Sequence, residues 1–450
     1  MRIVIIGGSH AGLAAAEGLK KLSPAHEVIL LEKGDVLGFI PSSLNFIFEK
    51  DIRFDISDLT GTVSPESLLT LGVDLRLNSV VTEIKPRSKT ITISDRDRTY
   101  HLNYDRIILA MGSEKFSVAE PMLHTSTSAL LTYKSLTETK TAYHKLKDSH
   151  HITIIGAGLI GLELASSLAH LSEKKITLVE QMSRPLFRYF DDDITIELMK
   201  SQPKNLTFIF EKTMKSAHKT GATTEISLYG GDSFTTDAAV LALNPRPNTH
   251  LINYPIQLNH DDTVKVNRYM QTDDPAIYAI GDLIKVPFGP RSEDAYLPLI
   301  SIARRTALIA VSHIANHPLE MTTSFQRTIS SKIFGKYLGS TGITFEEGLL
   351  FNIPLSSVTK RFVYYSKIYE KATFNLTIKL LYTVDSHVII GAQVIANDKE
   401  ALQIISVFSR AIAKSETLES MLLGEYFYAP ILSSDQNFIT QTLLEAISNT

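Results

Sequence analysis

The sequence predicts an α/β protein made of two parallel-sheet units and a C-terminal α+β block. Three observations predict it. A short apolar run, a glycine-rich turn, a helical stretch and a second apolar run ending in glutamate are written twice, over residues 3–32 and 152–180. Apolar runs alternate with helix-period segments through both copies, the pattern of parallel strands joined by crossover helices. From about residue 325 onward the text changes to alternating strands and a helix, with no third glycine turn.

The first copy begins with the strand Ile3-Val4-Ile5-Ile6, the turn Gly7-Gly8-Ser9-His10-Ala11-Gly12 and a helix over residues 13–22, and its strand over residues 28–31 is closed by Glu32. This apolar start reads as a strand and not a signal peptide, because His10, Glu17 and the glycines interrupt it. The second copy has the strand Ile152-Thr153-Ile154-Ile155, the turn Gly156-Ala157-Gly158-Leu159-Ile160-Gly161, a helix over 162–171 and a strand over 176–179 closed by Glu180. It is a complete G-x-G-x-x-G, whereas the first copy carries Ser9 in the middle slot. Glycines at these spacings let the backbone turn tightly against a pyrophosphate, whose charge suits the free N–H groups and dipole of a helix N-terminus. A carboxylate about 20 residues further on accepts hydrogen bonds from a ribose hydroxyl. One such motif is often an ordinary strand–turn–helix; two in one chain, each closed by its acid, predict two Rossmann-like dinucleotide-binding units.

Between the copies, residues 89–93 and 100–104 alternate around the polar turn Ser94-Asp95-Arg96-Asp97-Arg98 and predict a two-stranded hairpin. Residues 106–113 are a buried strand running into a glycine turn through Ala110, Met111, Gly112 and Ser113, and the Ser/Thr-rich stretch that follows, to about residue 130, marks a domain crossing. The second unit continues with a helix over 191–200, a strand over 206–210, a polar hairpin and a strand over 238–243. Asn244-Pro245-Arg246-Pro247-Asn248 then breaks regular structure. A strand over 277–280 ends in Gly281-Asp282, which presents Asp282 at a strand's carboxyl end, where open α/β sheets bind ligands. A helix over 297–313 follows, then strands over 374–381 and 388–396 and a helix over 399–413.

The 450 residues suggest about three domains. Lys and Arg number 45 against 48 Asp and Glu, so no basic surplus exists to neutralise a phosphate backbone, and nucleic acid is not an expected partner. No stretch reaches the roughly 18 continuous apolar residues of a membrane span, and the expectation is a cytoplasmic protein. Cysteine is absent, which excludes disulfides, thiolate zinc sites and a cysteine nucleophile. His313 and His317 stand one helical turn apart, a spacing that suits a metal pair, but Ile314 occupies the place of a zinc protease's glutamate. Imidazoles interacting with a helix C-terminus are the preferred reading, and no metal is expected.

Taken together, these segments resemble the flavin- and nicotinamide-dependent pyridine nucleotide disulfide oxidoreductases, in particular the branch of NADH oxidases, NADH peroxidases and coenzyme A disulfide reductases. The resemblance rests on the first turn with His10 and Glu32, Tyr104-Asp105 leading to Ala110-Met111-Gly112-Ser113, the second turn with Glu180, Arg246-Pro247-Asn248-Thr249, Gly281-Asp282 and Tyr296-Leu297-Pro298-Leu299. Tyr426-Phe427-Tyr428-Ala429-Pro430 with Ser433-Ser434 resembles the tail of that branch's dimer domain. It implies a discontinuous FAD-binding domain over residues 1–115 and 245–322, an NADH-binding domain over 116–244 and a C-terminal dimerisation domain over 323–450. Glu32 would hold the FAD adenosine ribose, and Gly7, Gly8, Ser9, Ala11 and Gly12 the pyrophosphate. Ala110, Gly112 and Ser113 would lie alongside, with Gly281 and Asp282 at the ribityl and phosphate region. Gly156, Gly158, Leu159 and Gly161 would carry NADH, with Glu180 on its adenosine ribose, where a carboxylate repels the 2′-phosphate of NADPH. Arg184, four residues on, would soften that preference unless it is an ordinary surface arginine. Backbone N–H groups around Leu299 and Ile300 would face the negative charge of a reduced flavin.

The sequence departs from the branch in two places. Ser42, in Gly38-Phe39-Ile40-Pro41-Ser42-Ser43-Leu44-Asn45, stands at the redox cysteine's position, and Leu159 stands where the branch usually has a tyrosine gating the nicotinamide side. A hydroxyl cannot cycle between thiolate, sulfenate and disulfide, so thiol-dependent peroxidase, four-electron oxidase and disulfide-reductase reactions lose their second redox centre. His10 matches the branch's histidine beside that cysteine and is either a proton donor or a space-filling helix residue, and Arg304 is a further candidate nearby. The expected function is an FAD-dependent NADH oxidoreductase passing electrons to oxygen, with hydrogen peroxide released, or to another small acceptor. The alternative is a non-catalytic FAD/NADH-binding sensor or flavin-storage protein. The family implies a homodimer in which Phe427 or Tyr428 reaches the partner's flavin.

Overall fold

In the computed structural model of the chain, the described residues are 1–49, 52–96, 98–114, 129–243, 245–252, 256–291, 293–319, 324–365, 373–427 and 437–449. Strand Arg2–Ile6 lies at the centre of a five-stranded parallel sheet, flanked by Glu27–Leu31 and then Asp74–Arg76 on one side, and by Arg106–Leu109 and then Ile277–Ala279 on the other. The first unit is therefore discontinuous. Its sheet is left at Leu109 and completed by a strand that follows the whole of the second unit. Helices His10–Leu22 and Ile300–Ile314 pack together, and the strands Arg2–Ile6, Glu27–Leu31 and Arg106–Leu109 are buried after their first residue, as their Ile, Leu and Val runs demand.

The second unit repeats this plan in four parallel strands, ordered Leu206–Ile209, Lys175–Val179, His151–Ile155 and Ala238–Leu241. The C-terminal block is a five-stranded antiparallel sheet in the order Ile329–Ile333, Lys336–Gly342, Ile389–Ala396, Thr373–Thr383 and Leu355–Tyr365. Helices Gln403–Ala413 and Phe438–Ser448 bury their apolar faces with it. A separate apolar cluster joins Leu44 and Phe48 of the first unit, helix Leu159–Leu168 of the second, and Ile329, Ile333 and Phe334 of the third. Three units thus meet around one helix.

Several expectations need correction. The hairpin has a third strand, Val80–Lys85, hidden in the sequence because a bulge between Val81 and Glu83 breaks its alternation. The polar hairpin of the second unit is likewise three-stranded, Met214–Thr220, Thr223–Leu228 and Ser233–Thr236. Arg246–Pro247 does not simply break the chain but pairs with Ser113–Glu114, tying the two crossings together. The first two helices begin at His10 and Leu159, three residues before the expected starts, so the last residues of each glycine turn are already helical. The helix expected from 297 starts at Ile300, and that expected from 399 opens as a 3-10 turn over Lys399–Leu402. The polar crossing at 115–128 lies outside the described residues, as do Asp97, Asn244, Tyr428, Ala429, Pro430, Ser433 and Ser434.

Each glycine turn is compressed for one reason. Gly7 and Gly156 adopt φ of 112° and 103°, and a Cβ added at Gly12 or Gly161 would stand 1.8 or 2.0 Å from the carbonyl oxygen of Gly7 or Gly156. Backbone cannot retreat as a flexible side chain does. Gly12→Ala is therefore expected to cost about 1–3 kcal/mol or more, read as a lowered denaturant midpoint beside the unsubstituted protein.

Candidate functional site

Both glycine turns open into one cavity of about 1440 Å³. That exceeds the about 300–1,000 Å³ of an ordinary single-ligand pocket. Ser9 and Gly158 are the N-caps of their helices; neither makes a side-chain cap, and neither helix has an acid in its first turn. The leading N–H groups and the positive dipole end are thus left for an anion from outside the helix. Ser9 is tolerated in a glycine slot because its backbone is extended (φ −95°, ψ −168°), nearly that of Gly158 (−72°, −175°), and needs no left-handed conformation.

The two acids are set identically. Glu32 accepts from Gly8 N at 2.6 Å and Gly34 N at 2.8 Å; Glu180 accepts from Ala157 N at 2.7 Å and Met182 N at 2.9 Å. Each carboxylate braces the glycine loop and the loop after its own strand. An ionised carboxylate has about four lone-pair directions, so each retains capacity for a ribose hydroxyl. At Gly8 an added Cβ would stand 2.9 Å from Glu32 Cβ as well as 2.7 Å from the tip of Leu37, so a side chain there would press on the bracing acid.

A polar chain crosses from the first sheet to the second unit. Lys134 Nζ donates to Ser113 Oγ at 2.9 Å, and Ser113 Oγ donates to Asp282 Oδ2 at 2.8 Å. Burial pushes the Lys134 amine down to about 8, although Asp282, Glu138 and Glu114 hold it up. Burial pushes the Asp282 carboxyl up, against the Ser113 bond and the Lys134 charge. The buried Tyr296 hydroxyl beside them has no partner and is raised by burial and by Asp282. Gly281, at φ 68°, donates its N–H to Thr306 Oγ1 at 3.0 Å, which sets the turn presenting Asp282.

In the cavity wall Ser42 is the N-cap of the short helix Ser43–Ile47, and Ser43 Oγ donates to Ile40 O at 2.6 Å. From the same helix Asn45 Nδ2 donates to Glu163 Oε2 at 3.3 Å, while Ser331 Oγ donates to Glu163 Oε1 at 2.6 Å. Burial pushes the Glu163 carboxyl up, against these two bonds. The Tyr133 hydroxyl and Asn45 Oδ1 are buried without partners. His10 is buried with Nε2 unpartnered; burial lowers its pKa, and the charge of Arg304 lowers it further, so the ring is neutral at pH 7. Arg304 itself is exposed and does not line the cavity.

Gly7, Gly8, Ser9, His10, Ala11, Glu32, Ser42, Ala110, Gly112, Ser113, Gly156, Gly158, Leu159, Glu180, Asp282 and Leu299 all line this one cavity. Leu299 caps a third helix that opens into it, again with no acid in the first turn. Gly12, Gly161 and Gly281 lie behind the wall and shape it. Sequence reasoning missed Lys134 and Glu163, and the lining segment Leu186, Phe187, Arg188 and Tyr189. Only Glu163 left a signal, two residues past a fingerprint glycine.

Two expectations are revised. Arg184 is not a surface arginine; its side chain is 8% exposed, donates to Phe190 O and to Glu346 Oε1 at 2.5 Å, and lies over the Phe187 ring. His313 lies in the last turn of its helix, as expected, but it stacks on Tyr269 at 4.3 Å and bonds Tyr278 Oη through Nδ1 at 2.9 Å, and burial and Arg106 lower its pKa, which disfavours the charged form. The helix ends at Ile314, which leaves His317 off it.

The sequence profile described as pyridine nucleotide-disulphide oxidoreductase matches residues 1–307. An NADH oxidase of Enterococcus faecalis is 25% identical over 454 residues, covering 100% of both chains. A solved pyridine nucleotide-disulfide family oxidoreductase from the same species superposes with a TM-score of 0.87 at 28% identity, covering 100% of this chain and 99% of the other. The water-forming NADH oxidase of Lactobacillus brevis, solved with NADH bound, reaches a TM-score of 0.91 at 23% identity, covering 100% and 98%, and shares the fold.

The His10 environment has a measurable consequence. Its ring should titrate below the ordinary histidine range by NMR, and Arg304→Gln or added salt should move the midpoint upward, because either weakens the opposing charge. A midpoint unmoved by both would contradict the placement.

Proposed function

The chain belongs to the pyridine nucleotide-disulphide oxidoreductase family, and on that premise we propose that it is an FAD-dependent NADH oxidoreductase. The single cavity shared by two complete dinucleotide cradles carries this reading. FAD is assigned to Gly7, Gly8, Ser9, Ala11, Gly12 and Glu32, with Ala110, Gly112, Ser113, Gly281, Asp282 and Leu299. NADH is assigned to Gly156, Gly158, Leu159, Gly161 and Glu180. Bound FAD supplies a two-electron carrier between nicotinamide and acceptor. With oxygen as acceptor the balance is NADH + H⁺ + O₂ → NAD⁺ + H₂O₂.

The chain's own contribution is orientation, water exclusion and protons. The three uncapped helix N-termini, at Ser9, Gly158 and Leu299, favour anionic groups inside the cavity. Lys134 adds a cation whose charge is held partly by Asp282. His10, neutral at pH 7, accepts or passes a proton through its unpartnered Nε2. Ser42 donates and accepts hydrogen bonds but holds no electrons, so reduction is not extended through a side-chain redox centre.

The domain assignment is 1–115 with 245–322 for FAD, 116–244 for NADH and 323–450 for dimerisation; the sheet boundaries support it. A homodimer is supported by the edge strand Leu355–Tyr365 and by Leu423 and Phe427, 87% and 75% exposed on the same block. Among the described residues no helix is long and apolar enough to cross a membrane, and a cytoplasmic location goes with the reading.

Purified protein should show flavin absorption that bleaches on anaerobic addition of NADH and returns in air with stoichiometric hydrogen peroxide. Flavin that stays oxidised under anaerobic NADH favours the storage alternative. Glu180→Ala removes hydrogen bonds to a charged group worth about 1.5–3 kcal/mol, so the KM for NADH should rise roughly tenfold or more while FAD content is unchanged.

A further inference from the structure

The segment from Arg184 to Asp191 connects the second-unit acid to its next helix, and Leu186, Phe187, Arg188 and Tyr189 form part of the cavity wall. Leu186, at φ 57°, donates its N–H to Ala157 O at 2.9 Å, which ties the segment to the glycine turn. Its other ties reach into the C-terminal block. Arg184 closes the loop on itself through Phe190 O and bonds Glu346. Ser340 Oγ donates to Tyr189 O at 2.6 Å, and Asp191 N donates to Gln393 Oε1 at 2.8 Å. Asp191 Oδ1 in turn accepts from Phe345 N at 2.8 Å.

The Asp191 carboxyl is 2% exposed and lies beside the Glu346 carboxyl: Phe345, whose N–H bonds Asp191 Oδ1, precedes Glu346, and Arg184 of the same loop bonds Glu346 Oε1. Two carboxylates so placed repel unless a proton lies between them. Asp191 Oδ2 and Glu346 Oε2 are both buried and no donor of the chain is aligned on either, which leaves a place for that proton. Lys379 Nζ, 3.1 Å from Asp191 Oδ2, is shared with Asp193 Oδ1 at 3.0 Å. The charged groups around the pair are Arg184, Asp192 and Asp193 from its own segment, Glu346 and Glu347 from helix Phe345–Leu350, and Lys379 from strand Thr373–Thr383. Of these, Glu347 is committed to Arg327, at 2.7 and 2.5 Å.

We propose that Asp191 and Glu346 share one proton and act as positioning residues, a latch that holds segment 184–191 against the C-terminal block and thereby sets the affinity of the second cradle for its nicotinamide dinucleotide. This rests on the assignment of that cradle to NADH. Protonated Asp191 donates to Glu346, whose remaining charge is met by Arg184, so the buried groups are balanced. When the proton leaves, a buried negative charge on Asp191 faces the half-buried one on Glu346, and the tie between segment and block weakens.

The direction with pH follows. Burial, and then the Glu346 contact, push the Asp191 carboxyl up to about 6 from its ordinary value, while Glu346, despite its own burial, is held low by Asp191 and Arg184. The folded pair keeps its proton where the unfolded chain has lost it, so the latch's contribution is full below the ordinary aspartate range and is lost as pH rises through about 6. NAD⁺, which survives mild acid, is the probe. Its Kd for the FAD-loaded protein should rise about fivefold or more between pH values about one unit either side of the midpoint, the low end of ordinary site coupling. Asp191→Asn keeps a neutral donor toward Glu346 and should bind tightly with no such step. Glu346→Gln removes the same shared proton and should flatten the profile even if its affinity is lower. An Asp191→Asn or Glu346→Gln profile that keeps the wild-type step, or a flat wild-type profile, overturns the latch alone. Failure of NAD⁺ and NADH to bind at any pH overturns the cradle assignment and the latch with it.

Discussion

Where Gly12 lies against the carbonyl oxygen of Gly7, and Gly161 against that of Gly156, each helix approaches the turn before it more closely than any side chain allows, and both cradles inherit their position from that approach. The pinch brings each helix N-terminus to the carboxyl edge of its sheet. There Glu32 and Glu180 bridge the glycine loop to the loop after the next strand by matched pairs of hydrogen bonds. Without the pinch the acids would have nothing at the right distance to brace. With it, two unrelated lengths of sequence build the same local geometry twice and direct both copies into one space.

Within that space the charges are arranged for proton management. Lys134, Ser113 and Asp282 form one hydrogen-bonded run, and Asn45, Glu163 and Ser331 form another. Burial moves Lys134, Asp282, Glu163 and His10 each toward the neutral form. Low dielectric surroundings amplify every interaction among them. What the cavity lacks is a side chain that stores electrons, since residue 42 is serine and the chain has no cysteine. Side chains here can shape hydride and proton traffic, but they cannot add a second redox station to it.

Local chemistry made much of this legible in the sequence, and long-range packing hid the rest. The glycine turns, Glu32, Glu180 and the strand ending at Asp282 are readable because each is carried by a fixed spacing within one strand–turn–helix–strand run or by an apolar run closed by a glycine and an acid. Ser9 looked like a defect, yet the middle slot needs only extended backbone. Strand Val80–Lys85 was invisible because its bulge spoils the alternation on which the reading depends. Arg184 was misjudged because its partner, Glu346, comes from a different unit. Lys134 and Glu163 were missed for the same reason: their meaning lies in Asp282, Ser331 and Asn45, which sequence spacing does not connect.

The completion of the first sheet by Ile277–Ala279 has a consequence for how the chain comes into being. During synthesis the strands through Leu109 emerge first but lack their edge partner, while the second unit, from His151 to Leu241, is made whole before that partner exists. Closing a sheet across so long an insertion costs loop entropy and is slow compared with local pairing. The inserted unit shortens that loop when it folds, because strands His151–Ile155 and Ala238–Leu241 pair side by side and bring the two crossings together. The unit encoded in the middle thus acts as a folding clamp for the unit encoded around it, and the N-terminal part of the nascent chain, through Leu109, waits, edge exposed, for residues translated much later.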